Sequence, residues 1–218
     1  MQEPQKLSQL ERNKAILRKY IPEPAIETIA RWVNTFDFKL KIKKARSTKL
    51  GDYRSPRDGS NHQITINQNL NKYAFLITLI HEIAHLTNYN KYQHKVKPHG
   101  PEWKQEFRVL MRPFMTSSVF PLDVLEQVKS YMENPAASSC ADMDLLRVLK
   151  RYDEVQGFLL LEDLPEGTIF QTAKKQRFVK GEMRRKRYLC REIASHKLYL
   201  FSGLAEVYLP DKPNLLLN

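Results

Sequence analysis

The stretch His81-Glu82-Ile83-Ala84-His85 sets two imidazoles four residues apart, with a carboxylate beside the first. On a helix, that spacing projects both rings from one face, so both can reach a single ion. Glu82 lies one position round, where it can reach a water on that ion rather than the ion itself. Zinc with three protein ligands keeps a fourth position for water, whose pKa it lowers toward neutrality. The chemistry implied is metal-assisted hydrolysis. Glu82 is the candidate general base, taking a proton from the activated water and passing it to the leaving amine.

A third ligand must come from further along the chain. His99 lies 14 residues after His85, too far for an HExxHxxGxxH pattern. It precedes Pro101 at a predicted helix start and offers the neutral nitrogen that zinc favours, so it is the preferred ligand. Glu102 and Glu106 on that following helix are the competing choice, and His94 is an outside one. His62 and His196 read as surface residues. A zinc that only staples helix to loop would normally be a closed four-ligand site. Three histidines with an adjacent glutamate leave one position open, which favours a catalytic site.

The elements that must position these residues are legible from periodicity. From about Lys72 to Asn88 the chain is apolar nearly all round, with Asn69 or Asn71 as its cap, so this helix is expected to be buried. Burying two histidines and a glutamate without charged or metal partners is costly, which argues against a surface HExxH. Upstream, Ser8 and Glu11 have capping-box spacing for a helix to about Tyr20, and a second helix is expected from Pro24 to about Asn34. Phe38, Leu40 and Ile42 then alternate with Lys39, Lys41 and Lys43, giving a strand with one apolar and one basic face. Leu50 to Tyr53 reads as its continuation after a bend, Ser55 to Gly59 as a turn, and His62 to Asn67 as the returning strand. A small antiparallel sheet is therefore expected before the metal-bearing helix. The segment Phe38 to Arg46, or its continuation to Tyr53, could be an edge that takes an extended substrate by β-augmentation, although its lysines also guard an edge against aggregation.

Downstream, a polar loop leads to a helix begun by Pro101, with Trp103, Phe107, Leu110 and Phe114 as its apolar stripe. Pro121 starts another helix to about Met132. Asn134 to Ser139 reads as a linker, and Asp142 to about Tyr152 as a short helix. From Gly157 the pattern changes to short strands at 158–161, 168–171, 177–180, 187–193, 198–201 and 205–209, the signature of a small β-barrel or curled sheet. The expected organisation is α+β: a metalloprotease domain at 1–134, a linker with a short helix at 135–153, and a small β-rich, barrel-like domain at 154–218.

The chain has 218 residues, 42% of them apolar, and carries 36 basic against 24 acidic side chains, for a net charge of +12. Such an excess favours polyanionic partners, with nucleic acid foremost. Candidate contacts are Lys39, Lys41 and Lys43, and in the C-terminal region Lys174, Lys175, Arg177, Arg184, Arg185 and Arg187. Phe178 and Tyr188, interleaved with the latter, could stack on exposed bases. A solvated hairpin is the plain alternative. No apolar run approaches the ~20 residues of a membrane span, and Met1 to Lys6 lacks a signal peptide's apolar core. Cys140 and Cys190 give no disulfide framework, and Cys190 reads as a small core residue. A cytoplasmic, presumed monomeric protein without a membrane partner is expected, nucleoid-associated in a bacterium.

The ordered series Thr48-Lys49-Leu50-Gly51-Asp52-Tyr53, Ile64-Thr65-Ile66-Asn67, His81-Glu82-Ile83-Ala84-His85 and His99-Gly100-Pro101-Glu102-Trp103 resembles the SprT-like family. The resemblance spans roughly residues 10 to 133. It implies a zincin-like zinc metalloprotease of the Spartan type, whose members cleave proteins crosslinked to DNA. By it, His81, His85 and His99 map onto the Zn2+ ligands and Glu82 onto the catalytic glutamate. DNA is the implied partner, single-stranded or at junctions and with low sequence specificity. Trp103 stands where the family usually has phenylalanine. Many members carry a four-cysteine zinc ribbon; here Cys190 alone lies in the C-terminal portion, so the β-rich segment takes its place. Two other functions fit the same residues: a nucleic-acid-binding or transcription-associated factor with a mainly structural zinc, and a general cytosolic peptidase.

Overall fold

Side-chain caps start the first α-helix and the long third one. Ser8 Oγ accepts the Glu11 amide at 3.2 Å and begins α1 (Gln9–Leu17), an arrangement that contributes about 1 kcal/mol. After a short 3-10 turn comes α2 (Ile26–Thr35), whose Ile26, Ile29 and Ala30 are buried. Asn71 caps α3 (Lys72–Tyr92), its Oδ1 accepting the amides of Tyr73 and Ala74. The computed structural model describes residues 8–46, 48–57, 60–136, 142–153 and 157–210.

Helix α3 spans 21 residues, and 14 of them are buried, so it runs through the interior rather than along a surface. On one side lies a three-stranded sheet of β1 (Phe38–Lys43), β2 (Gly51–Arg54) and β3 (His62–Asn67), in the order β1-β3-β2. Ile64 and Ile66 of the central strand are fully buried, and Leu40, Ile42 and Tyr53 pack against the same core. On the other side α4 (Pro101–Met111) brings Trp103 and Phe107, both fully buried. Its Pro101 supplies no N–H at a position where a helix has none to use. The stripe stops at Met111, and Pro113 lies in a 3-10 turn, Arg112–Phe114.

The sheet differs from the expected antiparallel one. Strand β2 does pair antiparallel with β3, but β1 pairs with β3 in parallel, Phe38 beside His62 and Lys43 beside Asn67. The described residues between β1 and β2, 44–46 and 48–50, cross the end of β3 instead of bending back along β1. Asn67 fixes that crossing, with its Nδ2 donating to the carbonyls of Arg46 (3.1 Å) and Lys49 (2.9 Å). Both β1 and β2 are thereby edges. Of the expected turn at Ser55 to Gly59, Asp58 and Gly59 lie outside the described residues.

Helix α5 (Leu122–Glu133) and helix α6 (Met143–Lys150) complete the first of two compact units, Met1–Asp153. The short helix α6 packs into this unit's core through Leu145, Val148 and Leu149. Asn71 holds it there, donating to Leu149 O at 2.8 Å and to Asp153 Oδ1 at 2.7 Å. The same side chain therefore caps α3 and anchors α6. Residues Ala137 to Ser139 of the expected linker, and Cys140, lie outside the described residues.

The second unit, Glu154–Asn218, is built from short strands. β4 (Leu159–Leu160) pairs with β9 (Glu206–Val207), while β5 (Ile169–Gln171), β6 (Arg177–Arg184), β7 (Arg187–Glu192) and β8 (Leu198–Ser202) form an antiparallel sheet in sequence order. No closed barrel forms among the described residues, because β8 pairs with β7 alone and the four strands meander as an open sheet. The expected strand at Leu161 gives way to a 3-10 turn, Leu161–Asp163. Phe178, read as a base-stacking side chain, is 2% exposed and stacks on Phe170 in the core at 5.6 Å. Cys190 is a buried core residue. No helix among the described residues is long and apolar enough to cross a membrane.

Candidate metal centre

Helical spacing and one loop bring three imidazoles to a point. His81 and His85 sit one turn apart on α3, and His99 enters from the loop before α4 with a positive φ of 60°. The Nε2 atoms lie 3.3 Å apart for His81 and His85, 3.3 Å for His81 and His99, and 2.9 Å for His85 and His99. Trp103 backs all three, its ring centroid 4.6, 5.2 and 4.7 Å from those of His81, His85 and His99. The aromatic side chain supplied by α4 is thus the floor on which the rings are seated.

This donor set fits a metal. Zinc–nitrogen bonds of about 2.0–2.1 Å in a tetrahedron place ligand nitrogens about 3.3–3.4 Å apart, close to two of the three separations. The rings are also held in the neutral, ligating form. Burial, with the neighbouring His85 and His99 rings, lowers the pKa of His81 to about 2. Burial and His99 lower that of His85 to about 3, and burial lowers that of His99. The three residues form the group that can hold a metal ion among the described residues.

Glu82 shares α3 with the two histidines and is 7% exposed. Burial, then the nearby Asp52 carboxylate, raises its pKa to about 8, against a hydrogen bond from the Tyr53 backbone amide that pulls the other way. Its carboxylate lies against β2: a Cβ placed on Gly51 would sit 2.5 Å from Glu82 Oε1 and 2.8 Å from Thr78 Cγ2. Only a glycine lets the strand approach so closely.

The other sequence candidates fall elsewhere. Glu106 is buried but its carboxylate pairs with Lys91 at 2.6 Å. Glu102 turns back to its own helix start, with Oε2 3.1 Å from where a Gly100 Cβ would stand. His94 is exposed and lies edge-on to Tyr89. His62 is half-buried, with Nδ1 2.9 Å from the Tyr53 hydroxyl, and His196 is exposed.

A cleft of ≈ 1240 Å³ opens beside the centre, reaching from His85 and Tyr89 past Tyr53 to Lys39 and Lys41. Arg54 and Arg57 also line it, and among the described residues no carboxylate does. A second hollow of ≈ 570 Å³ shares Lys41 and Arg54 with it and adds Lys43, Lys44 and Arg46. The lysine row of β1 therefore edges both hollows. Lys174, Lys175, Arg177, Arg184, Arg185 and Arg187 are exposed in the second unit, where Arg184 pairs with Glu182 at 2.8 Å. Lys180, which lies in sequence between Arg177 and Arg184, is instead 4% exposed.

Sequence reasoning assigned no role to Tyr53 or Arg46. Tyr53 lies parallel to the His85 ring at 6.5 Å and 8°, and burial raises the pKa of its phenol, which keeps the proton. A tyrosine in a period-two strand signals half-burial but not a histidine neighbour.

Comparison with curated proteins and with solved structures returned no match. The family model described as the SprT-like family matches residues 23–122, the span from just before α2 through α4 that holds Glu82 and all three histidines. That part of the chain is a SprT-like family domain.

Proposed function

We propose that this domain is a zinc-dependent endopeptidase, zincin-like in arrangement, that cleaves proteins associated with or crosslinked to DNA. The convergence of three neutral imidazole nitrogens beside a buried glutamate carries the reading. When bound, zinc supplies Lewis acidity toward the peptide carbonyl and toward a water. His81, His85 and His99 would hold it, oriented by the Trp103 floor. Glu82 takes the proton of the attacking water and returns it to the leaving amine. The outer edge of β2, unpaired among the described residues, offers main-chain groups to an extended substrate.

The net charge of +12 and the lysines and arginines that line the hollows along β1 support a nucleic-acid partner. The exposed arginines and lysines of the second unit are its second proposed contact. If Lys39, Lys41 and Lys43 each meet one phosphate of a single strand, a fourfold rise in salt lowers affinity by about twentyfold. Fluorescence anisotropy of a labelled oligonucleotide measures this, and salt-insensitive binding would rule the phosphate contacts out.

The decisive variant is Glu82→Gln. It should retain zinc and lose peptide cleavage by about a hundredfold or more, the scale of a general base. Zinc content and cleavage rate, measured on the same preparation, decide it; a zinc-loaded variant as active as the parent would remove Glu82 from the mechanism.

A further inference from the structure

Arg46 belongs to two structures at once. Its side chain lines the cationic hollow shared with Lys41, Lys43, Lys44 and Arg54. The same guanidinium donates from Nε to Asn67 Oδ1 at 2.8 Å and from Nη1 to Thr65 Oγ1 at 3.2 Å. Asn67, 1% exposed, answers by donating to the Arg46 and Lys49 carbonyls. The Asn67 amide also donates to Leu50 O at 2.9 Å. The crossing between β1 and β2 is thus fixed by Arg46 and Asn67 up to the residue before Gly51.

Gly51 opens β2, the strand that touches Glu82. It leaves no room for a Cβ against the carboxylate, and the Tyr53 amide donates to it. A shift of β2 by a few tenths of an ångström must therefore move Glu82. A guanidinium carries five N–H donors. Two are used on Asn67 and Thr65, and a third is 3.5 Å from Thr65 O. Bonds from the remaining donors to an anionic oxygen would be charge-assisted and short.

We propose that Arg46 is a positioning residue that couples a phosphodiester in this hollow to the placement of Glu82. The bound oxygen takes the free donors, holds the guanidinium on Asn67 and Thr65, and stiffens β2 against the carboxylate. This rests on the reading of the hollow as a nucleic-acid surface. Coupling of this kind makes cleavage respond to nucleic acid without any contact between the nucleic acid and the metal centre.

Amide hydrogen exchange of the full chain tests it directly, with oligothymidylate as the probe. In the parent, the oligonucleotide should slow exchange at Gly51 to Arg54 by about tenfold. Arg46→Lys keeps the charge but cannot make the fork. It should bind oligothymidylate within about threefold of the parent, exchange faster at β2, and lose the slowing. In the zinc-loaded variant kcat should fall with KM and zinc content unchanged. Parent-like β2 exchange in Arg46→Lys, or equal slowing by the oligonucleotide, overturns the coupling. Equal slowing by inorganic phosphate at the same phosphate concentration overturns nucleic acid as the source of the anion. Failure of the parent to bind oligothymidylate removes the nucleic-acid reading and the coupling together, whereas binding without a change at β2 removes the coupling alone.

Discussion

Both units bury ionisable side chains, and they resolve the burial in opposite ways. In the second unit Lys180 is 4% exposed, yet its Nζ donates to the carbonyls of Leu164 and of Glu162, the latter at 3.2 Å. It also lies 4.0 Å from the centroid of the Tyr188 ring. That ammonium has its partners. In the first unit three Nε2 atoms face one another within 3.3 Å. Neutral imidazoles present one N–H and one lone pair each, so no placement of protons satisfies all three pairs. A shared cation does. Burial alone therefore does not distinguish a site from a staple; what distinguishes them is whether the buried group's valence is met inside the protein.

Three substitutions test that contrast. His85→Ala removes one of three ligands and should weaken zinc binding by more than about a hundredfold, beyond what loss of an outer-shell partner costs. Competition with a chelator of known affinity measures it, and parent-like affinity would mean that the convergence has no metal purpose. Gly51→Ala puts a methyl 2.5 Å from Glu82 Oε1. It should destabilise the first unit by about 1–3 kcal/mol, read from denaturant melts, and lower cleavage with zinc retained. The smallest effect is expected from Lys180→Met. It leaves two buried carbonyls short of a donor but removes a buried charge, for a loss of about 1–2 kcal/mol with zinc content unchanged. If that variant lost zinc, the two buried clusters would not be the separate kinds described.

Much of the first unit was legible because its signals are local. The four-residue spacing of His81 and His85 and the all-round apolarity of their helix are read directly along the chain, as are Asn71 before a helix and Pro101 at the start of the next. His99 could be ranked above Glu106 by ligand chemistry, and the reason Glu106 is elsewhere, its pairing with Lys91, is a contact between two helices. Pairing direction was not legible: alternation in β1 and β3 is the same for parallel and antiparallel neighbours, and the choice lies in how Arg46 and Lys49 are held across the end of β3, which Asn67 decides. Nor was the inside of the second unit. Lys180 shares its strand with the exposed Arg177 and Arg184, and its burial depends on carbonyls supplied by Glu162 and Leu164, well before it in the chain. The expectation of a barrel read the segment correctly as strand-rich, but closure depends on which edges meet, and among the described residues β8 pairs with β7 alone.

His99 reaches the centre at the end of a loop counted 14 residues from His85, with its own φ at 60°, a backbone region that costs a β-carbon-bearing residue about 1 kcal/mol. An ion gripped by both histidines is therefore a crosslink as well as a reagent. Closing a loop of that length withdraws about 3 kcal/mol of freedom from the unfolded chain. If the centre binds a metal as proposed, removing it with a chelator should lower the domain's resistance to denaturant together with any cleavage.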